Sequence, residues 1–340
     1  MISILVTGGM GFIGSNFIRY ITGLNQDFKI INVDKLTYAG NPENLKDFDK
    51  LYSSNYKFYK NDICDFNAID RIIVKEKVDY IVNFAAESHV DRSIDNPKLF
   101  CDTNILGTQS LLNSAKRNKI KKFVQISTDE VYGSLKFKDL SFTESDPLSP
   151  NSPYAASKAS ADLLLNSYYK TYNFPVVITR CSNNYGPYQF PEKLIPLMVH
   201  NALNSKELPI YGEGINIRDW IYVDDHCKGI FKVLLEGRAG EIYNLGGDSE
   251  IRNIDLVKKI LKILDRPESL ITFIKDRPGH DLRYAMNHEK ITKELNWKPE
   301  VKLEEGLKLT VEWYLHNEDW LNNVINKEYL IFYEKQYKNR

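Results

Sequence analysis

The sequence predicts an α/β fold: a doubly wound parallel sheet with a smaller α/β substrate-binding part packed on it. Two observations lead to this prediction. Short apolar runs alternate with helix-length amphipathic segments as far as Arg180, and a glycine-rich turn follows the first run. Such repetition indicates parallel strands joined by right-handed crossovers, with helices on both faces of the sheet.

The elements of the first part alternate regularly along the chain. The predicted strands are rich in Ile, Val and Phe, and they cover Ile2–Thr7, Lys29–Val33, Lys57–Lys60, Tyr80–Phe84, Lys122–Ser127 and Val176–Arg180. The predicted helices carry apolar residues at helical spacing, and they cover Phe12–Leu24, Phe66–Glu76, Leu99–Lys116 and Ser157–Tyr172.

Prolines and glycines interrupt this rhythm after Arg180. We expect the strands Asp219–Val223 and Glu241–Leu245 to rejoin the sheet. Three helices should build the smaller part, near Pro191–Asn204, Ile254–Leu264 and Leu303–Leu315. The predicted boundaries are residues 1–180 for the first part, its sheet completed by strands within 217–247, and residues 181–216 and 248–340 for the second. A cleft should separate them.

Composition narrows the class of function. The 45 basic and 45 acidic residues among 340 cancel, which argues against nonspecific binding to nucleic acid or an anionic membrane. The four cysteines lack the spacing of a metal site, so we expect them to be reduced and the protein to hold no metal. We find neither a signal peptide nor an apolar run of about 20 residues, the length that a membrane helix needs. The expected compartment is the cytoplasm.

The glycine turn predicts a dinucleotide site of Rossmann type. Gly8, Gly11 and Gly14 lie between the first strand and the first helix. Gly8 allows a tight turn, Gly11 lets the backbone approach a pyrophosphate, and Gly14 permits close contact between helix and sheet. The amino end of the helix, at Phe12 and Ile13, then offers its N–H groups to the anion.

Asp34, at the end of the second strand, indicates which dinucleotide is bound. An acidic side chain here accepts hydrogen bonds from the ribose hydroxyls and repels a 2′-phosphate, so NAD is favoured over NADP. The alternative is a solvated turn aspartate. The ends of the third and fourth strands should flank the adenine and the phosphates, with Asp62, Ile63, Phe84, Ala85 and Ala86.

A possible catalytic base follows at Tyr154. Lys158 stands four residues later, on the same face of the predicted helix. An ammonium beside a phenol lowers the phenol's pKa, which makes the phenolate usable near neutral pH as the base for an alcohol that loses hydride. A surface Tyr/Lys pair is the alternative.

The glycine turn, Ser127-Thr128 and Tyr154-x-x-x-Lys158 together resemble the extended short-chain dehydrogenase/reductase family. The resemblance implies an active site built on Thr128, Tyr154 and Lys158, and a nucleotide-sugar substrate. Asp129 and Glu130 narrow the resemblance to one subfamily, because epimerases of the family carry small or neutral residues at these two positions. The chain is similar to the family's nucleotide-sugar dehydratases, in which the Asp acts as the acid and the Glu as the base. Two exposed loop carboxylates are the alternative.

This resemblance implies a hydro-lyase that converts dTDP-glucose into dTDP-4-keto-6-deoxyglucose, with NAD as catalytic cofactor, in deoxysugar biosynthesis of the rhamnose type. The alternatives are a 4,6-dehydratase of UDP-glucose or another nucleotide hexose, a nucleotide-sugar 4-epimerase or decarboxylase, and a non-catalytic NAD-binding scaffold. The resemblance also implies a homodimer formed through the helices Leu99–Lys116 and Ser157–Tyr172.

The resemblance assigns further residues to each ligand. For the cofactor it adds Lys35, Leu36, Thr37, Ser88, Thr103, Tyr154, Lys158 and Asn184. For the nucleotide sugar it gives Ser88, Thr128, Asn183, Lys193, Leu194, Pro209, Ile210, Tyr211, Arg218, Asn253, Asp276, Arg277 and His280.

Individual side chains in these sets have alternative interpretations. Arg218 matches phosphate geometry, but it could instead pair with Asp219. His280 could face solvent, and for His89 we expect a structural role. The chain departs from the dehydratase pattern at Leu282, where a basic residue is expected, after Gly133, and beyond Trp320.

Overall fold

The computed structural model describes residues 1–24, 27–52, 54–325, 329 and 333–334. Its strands are β1 (Ile2–Thr7), β2 (Phe28–Asp34), β3 (Tyr56–Lys60), β4 (Tyr80–Asn83), β5 (Lys122–Thr128), β6 (Val176–Cys181), β7 (Asn183–Tyr185), β8 (Leu208–Tyr211), β9 (Ile217–Tyr222), β10 (Ile242–Leu245), β11 (Glu250–Arg252) and β12 (Ile271–Ile274).

The α-helices are α1 (Phe12–Gly23), α2 (Phe48–Leu51), α3 (Phe66–Glu76), α4 (Val90–Asp95), α5 (Pro97–Phe100), α6 (Thr108–Arg117), α7 (Pro153–Tyr172), α8 (Leu194–Leu203), α9 (Val223–Glu236), α10 (Asn253–Ile263), α11 (Glu289–Leu295), α12 (Leu303–His316) and α13 (Glu318–Val324). No helix in the described ranges is long and apolar enough to cross a membrane.

A seven-stranded parallel sheet forms the centre of the first part, in the order β10-β6-β5-β4-β1-β2-β3. Its apolar side chains alternate between the two faces: Ile4 and Val6 pack in one core cluster, and Leu5 packs in another. The predicted strands of residues 1–180, and α1 and α3, differ from the observed ones by at most one residue at an end. The doubly wound prediction is therefore confirmed.

Two of the helices predicted within residues 1–180 have bounds that differ from the prediction by more than one residue. The helix expected over Leu99–Lys116 is divided into α5, a π-helical segment Cys101–Gly107, and α6. In the π segment Asn104 faces inward, where its amide bonds the backbone of Glu87 and the Ser157 hydroxyl. Helix α7 begins at Pro153 rather than Ser157, because the Ser152 hydroxyl accepts the N–H of Ala155 at 3.1 Å and caps the first turn.

The prediction that Asp219–Val223 rejoins the main sheet is wrong. Strand β10 does join it, beside β6, as expected for Glu241–Leu245. Because β10 occupies that edge, β9 pairs instead with β7 and β11 in a separate three-stranded sheet. This small sheet carries Arg218 and Asn183 toward the cleft from the second part.

The second part has its own apolar core. Helices α8, α10, α12 and α13 pack around the side chains of Leu197, Trp220, Leu256 and Tyr314. Strands β8 and β12 form a two-stranded parallel sheet at its margin. We predicted that this part extends to residue 340; residues 326–328, 330–332 and 335–340 lie outside the described residues.

Candidate active site

A cleft lies at the carboxyl ends of the main-sheet strands, where this fold places its ligands. Gly8, Asp34, Phe84 and Thr128, which end or follow four of these strands, all line it. The opposite wall comes from residues 181–193. One cleft therefore brings together the glycine turn and the predicted catalytic residues.

The glycine turn is shaped for a close-lying pyrophosphate. A Cβ on Gly14 would stand 2.3 Å from the Gly8 carbonyl oxygen, and one on Gly8 would stand 2.6 Å from the Ala85 nitrogen, so neither position accepts a side chain. At Gly11 a Cβ would meet only the Gly8 oxygen, at 3.3 Å, and would otherwise project into the cleft. Gly11 caps α1 without a side-chain hydrogen bond, which leaves the first-turn N–H groups to an anion.

Asp34 is held at the adenosine end of the cleft. One carboxylate oxygen accepts the N–H of Met10 at 2.9 Å, and the other accepts the N–H of Leu36 at 2.7 Å. The side chain is buried, which raises its pKa and excludes the solvated-turn interpretation. Asp34 also lines the cleft, as binding to ribose hydroxyls requires. The residues present fit NAD.

The structure places nearly all the predicted cofactor residues on the cleft wall. These are Gly8, Gly11, Phe12, Ile13, Gly14, Asp34, Lys35, Thr37, Asp62, Ile63, Phe84, Ala85, Ala86, Ser88, Thr103, Tyr154, Lys158 and Asn184. Leu36 is the exception. Its backbone has a φ of 57° and its side chain packs against the core, so only its N–H contributes, by holding Asp34.

Tyr154 and Lys158 lie one turn apart on α7, and both are buried in the cleft wall. The Lys158 ammonium donates to the Ile126 carbonyl oxygen at 2.6 Å. Contrary to the expectation from the sequence, the pKa of Tyr154 is well above its ordinary value, because burial and the nearby Glu130 disfavour the phenolate. A hydrogen bond with Thr128 acts in the opposite direction. Burial excludes an accidental surface pair.

Asp129 and Glu130 follow β5 in a short 3₁₀ turn, which the Thr128 hydroxyl caps by accepting the N–H of Glu130 at 3.3 Å. Burial, and then the neighbouring acids Glu130 and Asp219, hold the pKa of Asp129 well above its usual range. Burial also raises the pKa of Glu130, but Arg277, Lys193 and Arg218 oppose that rise. Like charges therefore add to the rise in the pKa of Asp129, whereas cations limit the rise in the pKa of Glu130.

The predicted substrate residues fall into two groups. Ser88, Thr128, Asn183 and Lys193 line the cleft. The others lie outside its lining, and they are Leu194, Pro209, Ile210, Tyr211, Arg218, Asn253, Asp276, Arg277 and His280. Of these, Ile210 and Leu194 pack in or against the apolar core of the second part, so their side chains do not meet the prediction.

Arg218 and His280 belong to a polar cluster beyond Glu130. Arg218 donates to the Asp281 carbonyl at 2.9 Å, while Asp219 accepts two backbone N–H groups, so among the described residues the alternative Arg218–Asp219 pair is not found. His280 bonds Asp276 at 2.6 Å and stacks edge-on with Tyr211. Because its imidazole is nearly buried, the solvent-facing interpretation is wrong.

Glu192 and Glu87 line the same cleft but were not predicted. Glu192 is buried and bonds Tyr38 and Arg92. Glu87 precedes Ser88 and Glu192 precedes Lys193, so each glutamate stands beside a residue that the sequence assigned to ligand binding. The sequence signal that could have identified Glu87 and Glu192 is an acidic residue inside a segment predicted to bind a ligand. No group of three or more His, Cys, Asp or Glu in the described residues is arranged to hold a metal.

Comparisons with known proteins identify the family. A family profile described as GDP-mannose 4,6 dehydratase matches residues 5–310. The chain is 49% identical to a dTDP-glucose 4,6-dehydratase of Shigella flexneri, with 99% of each chain covered. A crystal structure of the Bacillus anthracis dTDP-glucose 4,6-dehydratase in complex with NAD is 50% identical and covers 95% of this chain and 100% of that one, with a TM-score of 0.89. A Thermotoga maritima UDP-glucose 4-epimerase is 30% identical, covering 93% of this chain and 100% of that one, with a TM-score of 0.86. The chain belongs to the dTDP-glucose 4,6-dehydratase family.

Proposed function

We propose that the chain converts dTDP-glucose into dTDP-4-keto-6-deoxyglucose and water, as a step of deoxysugar biosynthesis of the rhamnose type in the cytoplasm. The single observation that carries this is the Asp129–Glu130 pair, in which Asp129 is buried and Glu130 half-buried, and which shares one cleft with Tyr154 and the glycine turn. Epimerisation needs no such pair, whereas elimination of water needs both an acid and a base. The names of the relatives agree with this choice.

Tyr154 acts first in the proposed cycle. Its phenolate takes the proton of the C4 hydroxyl, and Thr128 hydrogen-bonds the C4 oxygen. When bound, NAD accepts the hydride from C4 and later returns it to C6. The Thr128 hydroxyl favours the phenolate through its hydrogen bond with Tyr154. Lys158 lies one turn from Tyr154 in the same wall, and the proposal assigns it a second stabilising charge once its ammonium turns from the Ile126 carbonyl. Lys158 would also hold the nicotinamide ribose.

Asp129 and Glu130 perform the elimination. The ketone at C4 makes the C5 hydrogen acidic, so Glu130 removes it as a proton while Asp129 protonates the departing C6 hydroxyl. Water leaves, and a conjugated enone remains. Glu130 then gives its proton back to C5 as C6 is reduced. Before the next turnover Tyr154 loses the proton that it gained, and Asp129 regains the proton that it lost. The cycle therefore consumes no net proton.

Cationic residues of the second part hold the diphosphate in this proposal. Lys193, Arg218 and Arg277 all lie close enough to Glu130 to stabilise its charge, and a guanidinium suits phosphate oxygens. Asn183 shares the cleft wall. Residues 1–180 with β10 then form the NAD-binding part, and residues 181–216 and 248–340 form the nucleotide-sugar-binding part.

A homodimer completes the proposal. The π segment and α7 are neighbours, and each presents an exposed leucine: Leu106, which is 54% exposed, and Leu163, which is 59% exposed. Apolar side chains on adjacent helices suit packing against the same face of a second copy, because a two-fold interface uses one patch twice.

The assay that tests the function compares sugar nucleotides. Incubation with dTDP-glucose should give the alkali-developed absorbance of a 4-keto-6-deoxy sugar, and UDP-glucose should give much less. Equal or faster product from UDP-glucose would change the nucleotide assignment. Appearance of UDP-galactose without the chromophore would point to an epimerase instead.

A second assay tests the assigned base. With Glu130→Gln, incorporation of solvent deuterium at C5 should be lost, while oxidation at C4, detected as NADH absorbance, should persist. If deuterium still entered C5 at the parental rate, Glu130 would not be the base.

A further inference from the structure

Glu192 connects the two walls of the cleft. It lies on the wall formed by residues 181–193, and its side chain is 4% exposed. One carboxylate oxygen accepts the Tyr38 hydroxyl at 2.9 Å, and the other accepts Nε of Arg92 at 3.1 Å. Tyr38 belongs to the loop that follows Asp34, and Arg92 belongs to α4. Both partners therefore come from the NAD-binding part.

Aromatic and cationic contacts reinforce the link. The Arg92 guanidinium lies 3.8 Å from the centre of the Tyr38 ring, so the two partners of Glu192 also contact each other. Phe190 meets the Tyr38 ring edge-on at 5.7 Å. Charge-assisted hydrogen bonds of this kind are the strong ones, and burial from water strengthens them further.

Backbone contacts hold the same segment in place. His89 Nε2 lies 3.4 Å from the Glu192 carbonyl oxygen, and the Lys193 ammonium donates to the Ser88 carbonyl at 2.9 Å. We call Tyr38, Arg92 and Glu192 the clasp. It crosses the cleft beside Thr37, Ala39 and Gly40, which line the adenosine end.

We propose that the clasp retains NAD in the cleft throughout the catalytic cycle, with Glu192 as a positioning residue and no part in the acid–base chemistry. The hydride taken at C4 must return to C6 of the same sugar, so loss of the reduced cofactor between these steps would abort a turnover. Separation of the two walls at the adenosine end requires that Glu192 leave both Tyr38 and Arg92. This inference rests on the proposed function, because it assumes that NAD is bound here.

Tyr38→Phe is the sharpest test, because it removes one hydroxyl and leaves the ring. The readout is exchange of bound NAD for isotopically labelled NAD in the holoenzyme without substrate. We expect exchange to be about tenfold faster than in the parent, as follows from loss of a hydrogen bond to a charged group. Glu192→Gln should accelerate exchange further, because it also removes the charge opposite Arg92.

Tyr59→Phe is the matched control. Tyr59 also donates its hydroxyl to a buried carboxylate, that of Glu76, which is held by Lys29 and Lys57 near the starts of β2 and β3. Neither Tyr59 nor Glu76 is among the residues that line the cleft. This variant should exchange NAD at the parental rate. With dTDP-glucose and no added NAD, Tyr38→Phe should lose activity during the assay and regain it when NAD is supplied, whereas Tyr59→Phe should not.

The outcomes separate the two proposals. If the parent protein holds no NAD at all and binds none when it is supplied, the proposed function fails. If the parent retains NAD and Tyr38→Phe exchanges it no faster, the clasp is refuted and the proposed function stands. Should Glu192→Gln fail to fold, the comparison of Tyr38→Phe with Tyr59→Phe still decides the question.

Discussion

Asp129 and Glu130 are adjacent in the chain but differ in their surroundings. Arg218 lowers the pKa of both carboxyls, but Asp129 has the like charges of Glu130 and Asp219 beside it, whereas Glu130 has the further cations Arg277 and Lys193. Like charges favour the protonated carboxyl and cations favour the ionised one. Two carboxyls of similar intrinsic acidity can thus take the roles of acid and base in one site.

Asp129→Asn is expected to reduce kcat at least about 100-fold, because the departing hydroxyl loses its proton donor.

The same variant should be more stable than the parent at pH 8. Burial holds the pKa of Asp129 in the folded state above its unfolded value, so the unfolded chain releases this proton first as the pH rises, and the parent loses stability from about pH 4 upward.

Thermal unfolding at pH 5 and pH 8 checks this sign. The Tm advantage of Asp129→Asn should be larger at pH 8 than at pH 5. The exposed Asp47→Asn serves as control and should change neither value. Equal Tm differences at the two pH values would contradict the assigned protonation state.

At the scale of elements, Glu76 ties α3 to two strands. Its carboxylate, 4% exposed, accepts Lys29 of β2 and Lys57 of β3, each at 2.8 Å, and it also accepts the Tyr59 hydroxyl. These donors lower the pKa of Glu76 to about 2 against the opposing effect of burial. The network secures the edge of the sheet, away from the cleft.

Glu76→Gln should destabilise the protein by about 2 kcal/mol at pH 7, because it removes the charged acceptor of hydrogen bonds from Tyr59 and from the partly exposed Lys29 and Lys57. The contribution of Glu76 is present above its unfolded pKa and is lost as the pH falls toward 2. The difference between parent and variant in urea unfolding should therefore be largest at pH 7, smaller at pH 3, and should vanish only as the pH falls toward 2. A constant difference, or a change in bound NAD, would contradict this account.

The positions of the glycines in the turn between β1 and α1 could be predicted from the sequence. Its requirements are local, since Gly14 must approach Gly8 within the same turn. The π segment could not be predicted in this way. Asn104 faces inward because it bonds Glu87 and Ser157, which lie 17 and 53 residues away.

At the scale of the whole molecule, the proposed dimer makes a prediction. Light scattering should give twice the chain mass, and Leu163→Glu should give the monomer, because a buried charge opposes an apolar interface. Leu309→Glu on α12 is the control, since Leu309 is also exposed but lies on the second part. A parent that is monomeric at assay concentration would contradict the proposal.

The sequence by itself determined the alternation of strands and helices, the glycine turn and the positions of Asp34, Asp129, Glu130, Tyr154 and Lys158. These features depend on periodicity and short spacings, which act between near neighbours. Only the tertiary structure decided that β9 leaves the main sheet, because β10 takes the edge beside β6. It also decided the raised pKa of Tyr154 and the clasp, in which Glu192 meets Tyr38 across 154 residues of chain. Burial and contacts at that distance arise from packing, and packing follows from the arrangement of all the elements at once.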